Sequence, residues 1–311
     1  MKNKLCLLLV LMLTVLMTGV TLVQAEEYPV TVEDDLGEEI TLEKKPESII
    51  SLSPSNTEML YALGQGDKII GVTQSANYPE EALEKEKIGT ITEPNIEKIV
   101  SLEPDLVIAS SINDIQSVNR LKELGISVAG FSPATVNDTM LTMKKIGTLV
   151  GEEEKVQKIV SELQLQLVEI KNIVDSHLEN NERKKVFYEI WTDPLTTAGE
   201  NTFIDDIINI AGGINIGAEA QGHWPQYSLE KLIKEDPEVY ISTPHSSQEE
   251  VTVSSIKERD EFETIKAVKN ENIHIVNQDI VNRPSPRIIE GLKIFVKAVF
   301  PELTEEIEEL E

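Results

Sequence analysis

Apolar and polar side chains alternate along residues 28–45 and turn at Asp35-Leu36-Gly37, which predicts a small β-hairpin. Ser48-Ile-Ile-Ser-Leu-Ser then predicts a buried strand, with Pro54-Ser-Asn as a loop and Thr57 to Leu63 as an amphipathic helix closed by Gly64. A strand at Lys68-Ile-Ile-Gly-Val-Thr, a polar loop through Tyr78-Pro79, a helix at 114–124 and a strand at Ile126 to Phe131 extend the series. Strands alternating with helices predict a parallel, doubly wound sheet. The period changes over 152–180. There Val156, Ile159, Val160, Leu163, Leu167, Ile170 and Val174 recur at helical spacing without Gly or Pro. A helix of that length is on the order of 40 Å long. It falls between two α/β series, so it reads as a rigid spine. Lys185-Val-Phe-Tyr-Glu-Ile opens the second series, which closes with a helix at 285–299 and an acidic tail, Glu302 to Glu311, that reads as solvated.

One unit occurs twice. Asn95-Ile-Glu-Lys-Ile-Val-Ser-Leu-Glu-Pro-Asp-Leu-Val-Ile matches Ser228-Leu-Glu-Lys-Leu-Ile-Lys-Glu-Asp-Pro-Glu-Val-Tyr-Ile in the other half of the chain. Each copy has a capping residue, about two helical turns, an acidic-Pro-acidic break and a β-branched strand. Repetition at so long an offset implies two lobes of like fold, not a solenoid. It also sets Glu97 and Glu230 at equivalent first-turn positions, one per lobe. The helix dipole favours each carboxylate taken alone; the pairing is what suggests a binding role.

The expected organisation is therefore α/β, with two Rossmann-like lobes of parallel sheet joined by one long backbone helix. Residues 26–150 form the first lobe, 151–181 the helix and 182–311 the second lobe. Before them, Lys2 and Lys4 precede an apolar run from Leu5 to Val23 that ends at Ala25, which reads as a secretory signal at 1–25. The run is also long enough for a retained anchor. Its loss leaves the chain two units more negative than the full-length −27, and removes Cys6, the only cysteine. Such an acidic surface repels nucleic acid and anionic lipid.

Ligands of parallel sheets bind beyond the carboxyl ends of the strands. The loops expected there are Ser53-Pro-Ser-Asn, Thr73 to Pro79, Trp191 to Gly199, Gly222-His-Trp-Pro-Gln and Asn277 to Pro284. Both tryptophans of the chain, Trp191 and Trp224, fall on them, although aromatics are only 5% of residues. A tryptophan belongs to a core more often than to a ligand surface, but the Thr, Pro and His neighbours favour the surface here. No G-x-S-x-G, H-E-x-x-H, P-loop or G-x-G-x-x-G occurs in these turns. A secreted α/β hydrolase using Ser53 or Ser55 with His223 as base would need a Gly-rich nucleophile turn, which Ser53-Pro-Ser-Asn lacks. His177, His223, His245 and His274 are isolated in sequence, so a metal cage is the weaker rival. His223, beside Trp224, is the one histidine placed to touch a ligand.

Ile49-Ile-Ser-Leu-Ser-Pro-Ser-Asn-Thr-Glu, Asn95-Ile-Glu-Lys, Pro194-Leu-Thr-Thr-Ala-Gly, Trp224-Pro-Gln-Tyr-Ser-Leu-Glu and Arg283-Pro-Ser-Pro-Arg-Ile, in this order, resemble the helical-backbone class of solute-binding proteins of ATP-driven importers. The likeness is greatest to the cobalamin-binding members. It implies a non-enzymatic protein with no catalytic cofactor and no metal site, a monomer at the cell surface or in the periplasm. Such a protein captures a bulky ligand, a corrinoid first of all, and hands it to a permease dimer. The resemblance implies docking on the permease through Glu97 and Glu230. Trp224 matches a stacking position of the family, and Asp279 and Arg283 match polar contacts near its pocket. Ser75 and Ile91 stand where cobalamin-binding members carry aromatics, leaving Tyr78 and Trp191 to compensate. Ser55, Asn56 and His223 complete the expected ligand set. The departures leave room for a ferric siderophore or haem.

Overall fold

The computed structural model of the protein describes residues 28–244 and 251–310. The segment expected as a signal, with Cys6, and His245 lie outside the described residues. Strands β1 (Val30–Glu33) and β2 (Glu39–Leu42) form the expected antiparallel hairpin. Strands β3 (Ile49–Ser51), β4 (Ile69–Val72), β5 (Leu106–Ser110) and β6 (Val128–Phe131) then form a parallel sheet in the order β4-β3-β5-β6. Ile49, Ile50, Val107 and Ile108 are wholly buried, as expected for strands covered on both faces.

The second sheet is built around β7 (Lys184–Thr192), the longest strand. On one side β7 pairs in parallel with β10 (Val239–Ser242), which pairs with β11 (Ile273–Ile275). Its other partners divide its length. The start of β7 takes β9 (Gly213–Asn215) in parallel, and its end takes β8 (Leu195–Thr197) antiparallel. The segment from Trp191 is therefore a hairpin and not the expected open loop, and Trp191 is a strand residue.

The spine runs from Glu153 to Leu178, 26 residues or about 39 Å. Val156, Val160, Leu163, Leu167, Ile170 and Val174 form its buried stripe, and each such burial contributes roughly 1.5–3 kcal/mol. Near its start Val156 lies against Gly147 of the helix Val136–Leu149, so close that a Cβ at Gly147 would stand 2.6 Å from the Val156 side chain. Near its end Val174 packs by Gly212 and Phe300 in the second lobe. One apolar core thus passes through both lobes along this helix.

Both copies of the repeated unit fold alike. Asn95 and Ser228 accept the N–H of Lys98 and Lys231, at 3.0 and 3.2 Å, and cap the helices Ile96–Ser101 and Leu229–Glu235. Glu103 and Asp236, each before a proline, take left-handed backbone (φ 48° and 49°), which ends the helices. The acidic residue after each proline ties its strand to the neighbour: Asp105 accepts the N–H of Ser48 at 3.1 Å, and Glu238 that of Lys185 at 3.2 Å.

Two further expectations are corrected. The helix expected at Thr57 begins at Pro54, because Ser53 accepts the Asn56 N–H and proline suits a first helical position. The acidic tail is docked, since Leu303 and Ile307 of the segment Pro301–Glu308 are buried in the core.

Candidate functional site

A cavity of about 300 Å³ lies between the lobes at the carboxyl ends of β3, β5, β6 and β11. Six of the expected residues line it: Ser55, Asn56, Ser75 and Ile91 from the first lobe, Asp279 and Arg283 from the second. Ile112 and Phe131 supply apolar wall, and Ser110, Gln278 and Asn282 polar wall. These positions are fixed by buried polar contacts. The Asn56 amide donates to Ala109 O at 3.0 Å and binds the first turn of its helix to β5. Asn113 donates to Leu52 O at 2.9 Å and Ile91 O at 2.7 Å, which seats Ile91 at the wall.

Arg283 is committed to the interface between the lobes. It donates to Glu58 Oε1 at 3.0 Å, Asn77 Oδ1 at 2.8 Å, Ser75 O at 3.3 Å and Asp279 Oδ1 at 2.5 Å. Arg287 donates to both oxygens of Glu58, at 2.9 and 2.7 Å, and to Asp279 O at 2.9 Å. The Glu58 side chain is only 1% exposed and faces two guanidinium groups. Burial disfavours the Arg287 cation, but hydrogen bonds and attraction from Glu58 outweigh it and raise the Arg287 pKa. At the rim Asn77 Nδ2 donates to Asp279 Oδ2 at 2.7 Å in an exposed contact.

Tyr78, Trp191, His223 and Trp224 do not line this cavity. Tyr78 is 47% exposed, and the Arg287 guanidinium lies 4.0 Å from its ring centre. Trp191 and Trp224 are about half exposed and belong to one structure. Trp191 pairs with Thr196 of β8, and Thr196 bridges to Gln226 in the Trp224 segment. That segment lies so close that a Cβ on Gly199 would stand 2.0 Å from Gly222 O, and Gly199 donates to His223 O at 2.9 Å. His223 is exposed. The hydroxyl of Ser53 serves as a helix cap.

Glu58, Asn77, Arg287, Ile112 and Phe131 are further residues at or beside the cavity, beyond those expected from the sequence. Two of them lie within motifs quoted above, Glu58 at the end of Ile49 to Glu58 and Arg287 next to last in Arg283-Pro-Ser-Pro-Arg-Ile. Glu97 and Glu230 are exposed in the first turns of equivalent short helices. A helix leading into a parallel strand starts at the carboxyl edge of its sheet, so both lie on the same edge as the cavity.

Residues 49–279 match the family model described as periplasmic binding protein. The chain belongs to this family. Of its relatives, an uncharacterized ABC transporter substrate-binding lipoprotein of Bacillus subtilis is 34% identical over 91% of this chain and 89% of its own length. The crystal structure of the periplasmic vitamin B12 binding protein of Vibrio cholerae superposes with a TM-score of 0.72 at 26% identity, covering 85% of this chain and 98% of that one. That of a possible iron-binding, periplasmic solute-binding protein of Staphylococcus epidermidis gives 0.70 at 33%, covering 83% and 100%. In this periplasmic binding protein the two α/β lobes meet along the spine, and the cavity occupies the cleft between them.

Proposed function

We propose that this chain is the extracytoplasmic solute-binding component of an importer driven by ATP hydrolysis, and that it captures a corrinoid between its lobes. The observation that carries this reading is a cavity of mixed polar and apolar lining, walled by both lobes, in a chain with half-exposed aromatics, Tyr78 in the first lobe and Trp191 and Trp224 in the second. Flat aromatic faces with few fixed polar groups suit a large conjugated ring carrying amide side chains. The likeness to a vitamin B12 binding protein supports the same ligand class. A cavity of about 300 Å³ is at the low end for small-molecule sites. A corrinoid therefore has to part the exposed Asn77–Asp279 contact and spread towards the aromatics. Ser55, Asn56, Ser75 and Asp279 supply polar contacts, Ile91 an apolar one, and His223 adjoins Trp224. The loaded protein docks on the permease dimer through Glu97 and Glu230.

A ferric siderophore or haem is the second reading, favoured by Ser75 and Ile91 in place of ring-stacking aromatics and by the likeness to a possible iron-binding protein. Titration with cyanocobalamin and cobinamide, followed by tryptophan quenching and calorimetry, separates the two. Sub-micromolar corrinoid binding is expected. Absence of heat with both corrinoids, together with tight binding of haem or a ferric siderophore, would replace the first reading with the second.

A further inference from the structure

Tyr78 gives the first lobe its exposed aromatic ring beside the cleft, yet the group that holds that ring comes from the second lobe. The Arg287 guanidinium lies 4.0 Å from the ring centre, and the ring remains 47% exposed. Arg287 is itself fixed by three hydrogen bonds, two to the buried Glu58 carboxylate and one to the Asp279 carbonyl. Asn77, the residue before Tyr78, is held by Arg283 and Asp279. The loop that carries Tyr78 is thus clamped across the cleft at two successive residues.

The two contacts differ in strength. Asn77–Asp279 is exposed and neutral on one side, so it exchanges readily with water. Glu58–Arg287 is buried, charged and doubly bonded. An entering ligand therefore breaks the rim contact first and leaves the buried one standing, with Tyr78 still stacked on Arg287. The guanidinium covers one face of the ring, and close to half of the residue stays exposed.

We infer that Arg287 is a positioning residue for ligand capture: pinned by Glu58, it reaches across the cleft and presents the Tyr78 ring as the stacking surface of the first lobe. The inference rests on the corrinoid reading for its ligand and deepens it. It explains how this chain makes a first-lobe platform while Ser75 and Ile91 line the cavity wall. A planar guanidinium is required, because a lysine ammonium keeps the charge but cannot lie flat on the ring while bonding both carboxylate oxygens.

The test combines cyanocobalamin titration with 3-fluorotyrosine placed at Tyr78 in otherwise wild-type protein and in Arg287→Lys. Tyr78→Ala and Arg287→Lys should each weaken cyanocobalamin by about tenfold, Tyr78→Phe should restore most of the affinity, and the Tyr78→Ala/Arg287→Lys double variant should bind no worse than Tyr78→Ala. Ligand-free Arg287→Lys should shift the fluorine resonance at Tyr78, while thermal unfolding verifies that each variant is folded. Additive losses in the double variant would overturn the inference, as would an unmoved fluorine resonance. Should wild-type protein bind no corrinoid, the ligand reading fails separately, and the fluorine comparison alone decides whether Arg287 positions the ring.

Discussion

Glu58 and Arg287 stand 229 residues apart in the chain and meet through two parallel hydrogen bonds, at 2.9 and 2.7 Å, beneath the cleft. Glu58 lies on the first lobe's helix Pro54–Ala62, and Arg287 stands just before the second lobe's helix Ile288–Val299. The spine and this pair both tie the two lobes together. A carboxylate buried between two guanidinium groups ties the lobes together, because removing one partner while the interface stays closed leaves a buried charge uncompensated.

Glu58→Ala should therefore destabilise the protein by about 3–5 kcal/mol, the cost of leaving the Arg287 guanidinium without its carboxylate, while Arg283 keeps Asp279. Glu58→Gln keeps one acceptor and should cost less. Chemical denaturation of both variants checks this. A loss below about 1 kcal/mol in the alanine variant would mean that water replaces the carboxylate without difficulty.

The parts of the fold that were legible in the sequence are local. The caps Asn95 and Ser228, the acidic-Pro breaks and the apolar stripe of the spine each act within a few residues, so pattern reading finds them. The cleft residues Ser55, Asn56, Ser75, Ile91, Asp279 and Arg283 were reached through loop position and family resemblance, and the structure brings them together at one cavity. Glu58 and Arg287 escaped because a buried ion pair between distant segments has no local signature. Proline opens a helix as readily as it breaks one, so Pro54 reads as loop in the sequence where the helix in fact begins. The Ile307 anchor was hidden among glutamates.

Asp206 links pH to the contact between lobes. Its carboxylate accepts the Val136 N–H at 2.8 Å, and burial raises its pKa despite that bond. The folded state thus holds this proton more tightly than the unfolded chain. The Asp206 contribution to stability is greatest at acid pH and is lost as pH rises through the raised folded value. Carboxylates such as Glu235, held low by its hydrogen bond to Lys185, act in the opposite sense and are lost as pH falls. Comparison with Asp206→Asn isolates the first effect. The variant should gain stability relative to wild type as pH rises above the ordinary aspartate value of about 4. A difference in melting temperature that does not change with pH would refute it.

The spine should limit lobe movement. Its 26 residues form one uninterrupted helix, packed at its start by Gly147 and near its end by Gly212. Spin labels at Asn119→Cys and Glu263→Cys, both exposed and in different lobes, should report a change of only a few ångströms on adding cyanocobalamin. A closure of tens of degrees would require the helix to bend and the Glu58–Arg287 pair to break.

Glu97 and Glu230 should be dispensable for ligand affinity and needed for transport. Both are exposed, they occupy equivalent turns of the repeated unit, and neither lines the cavity. An exposed ion pair contributes about 0–1 kcal/mol, whereas one desolvated across an interface can be worth several times more. Changing either Glu to Ala should weaken docking on the permease. Changing both should weaken it much further, since each anchors a different lobe. Reversal to Lys should be worse still, because it sets like charges against the arginines expected on the permease. Stability should fall by only a few tenths of a kcal/mol per site, the lost interaction with the helix dipole. Reconstituted transport, run beside cyanocobalamin titration of the same variants, measures both properties. A double variant that transports normally would remove the docking role. One that loses ligand affinity would place these residues at the pocket instead.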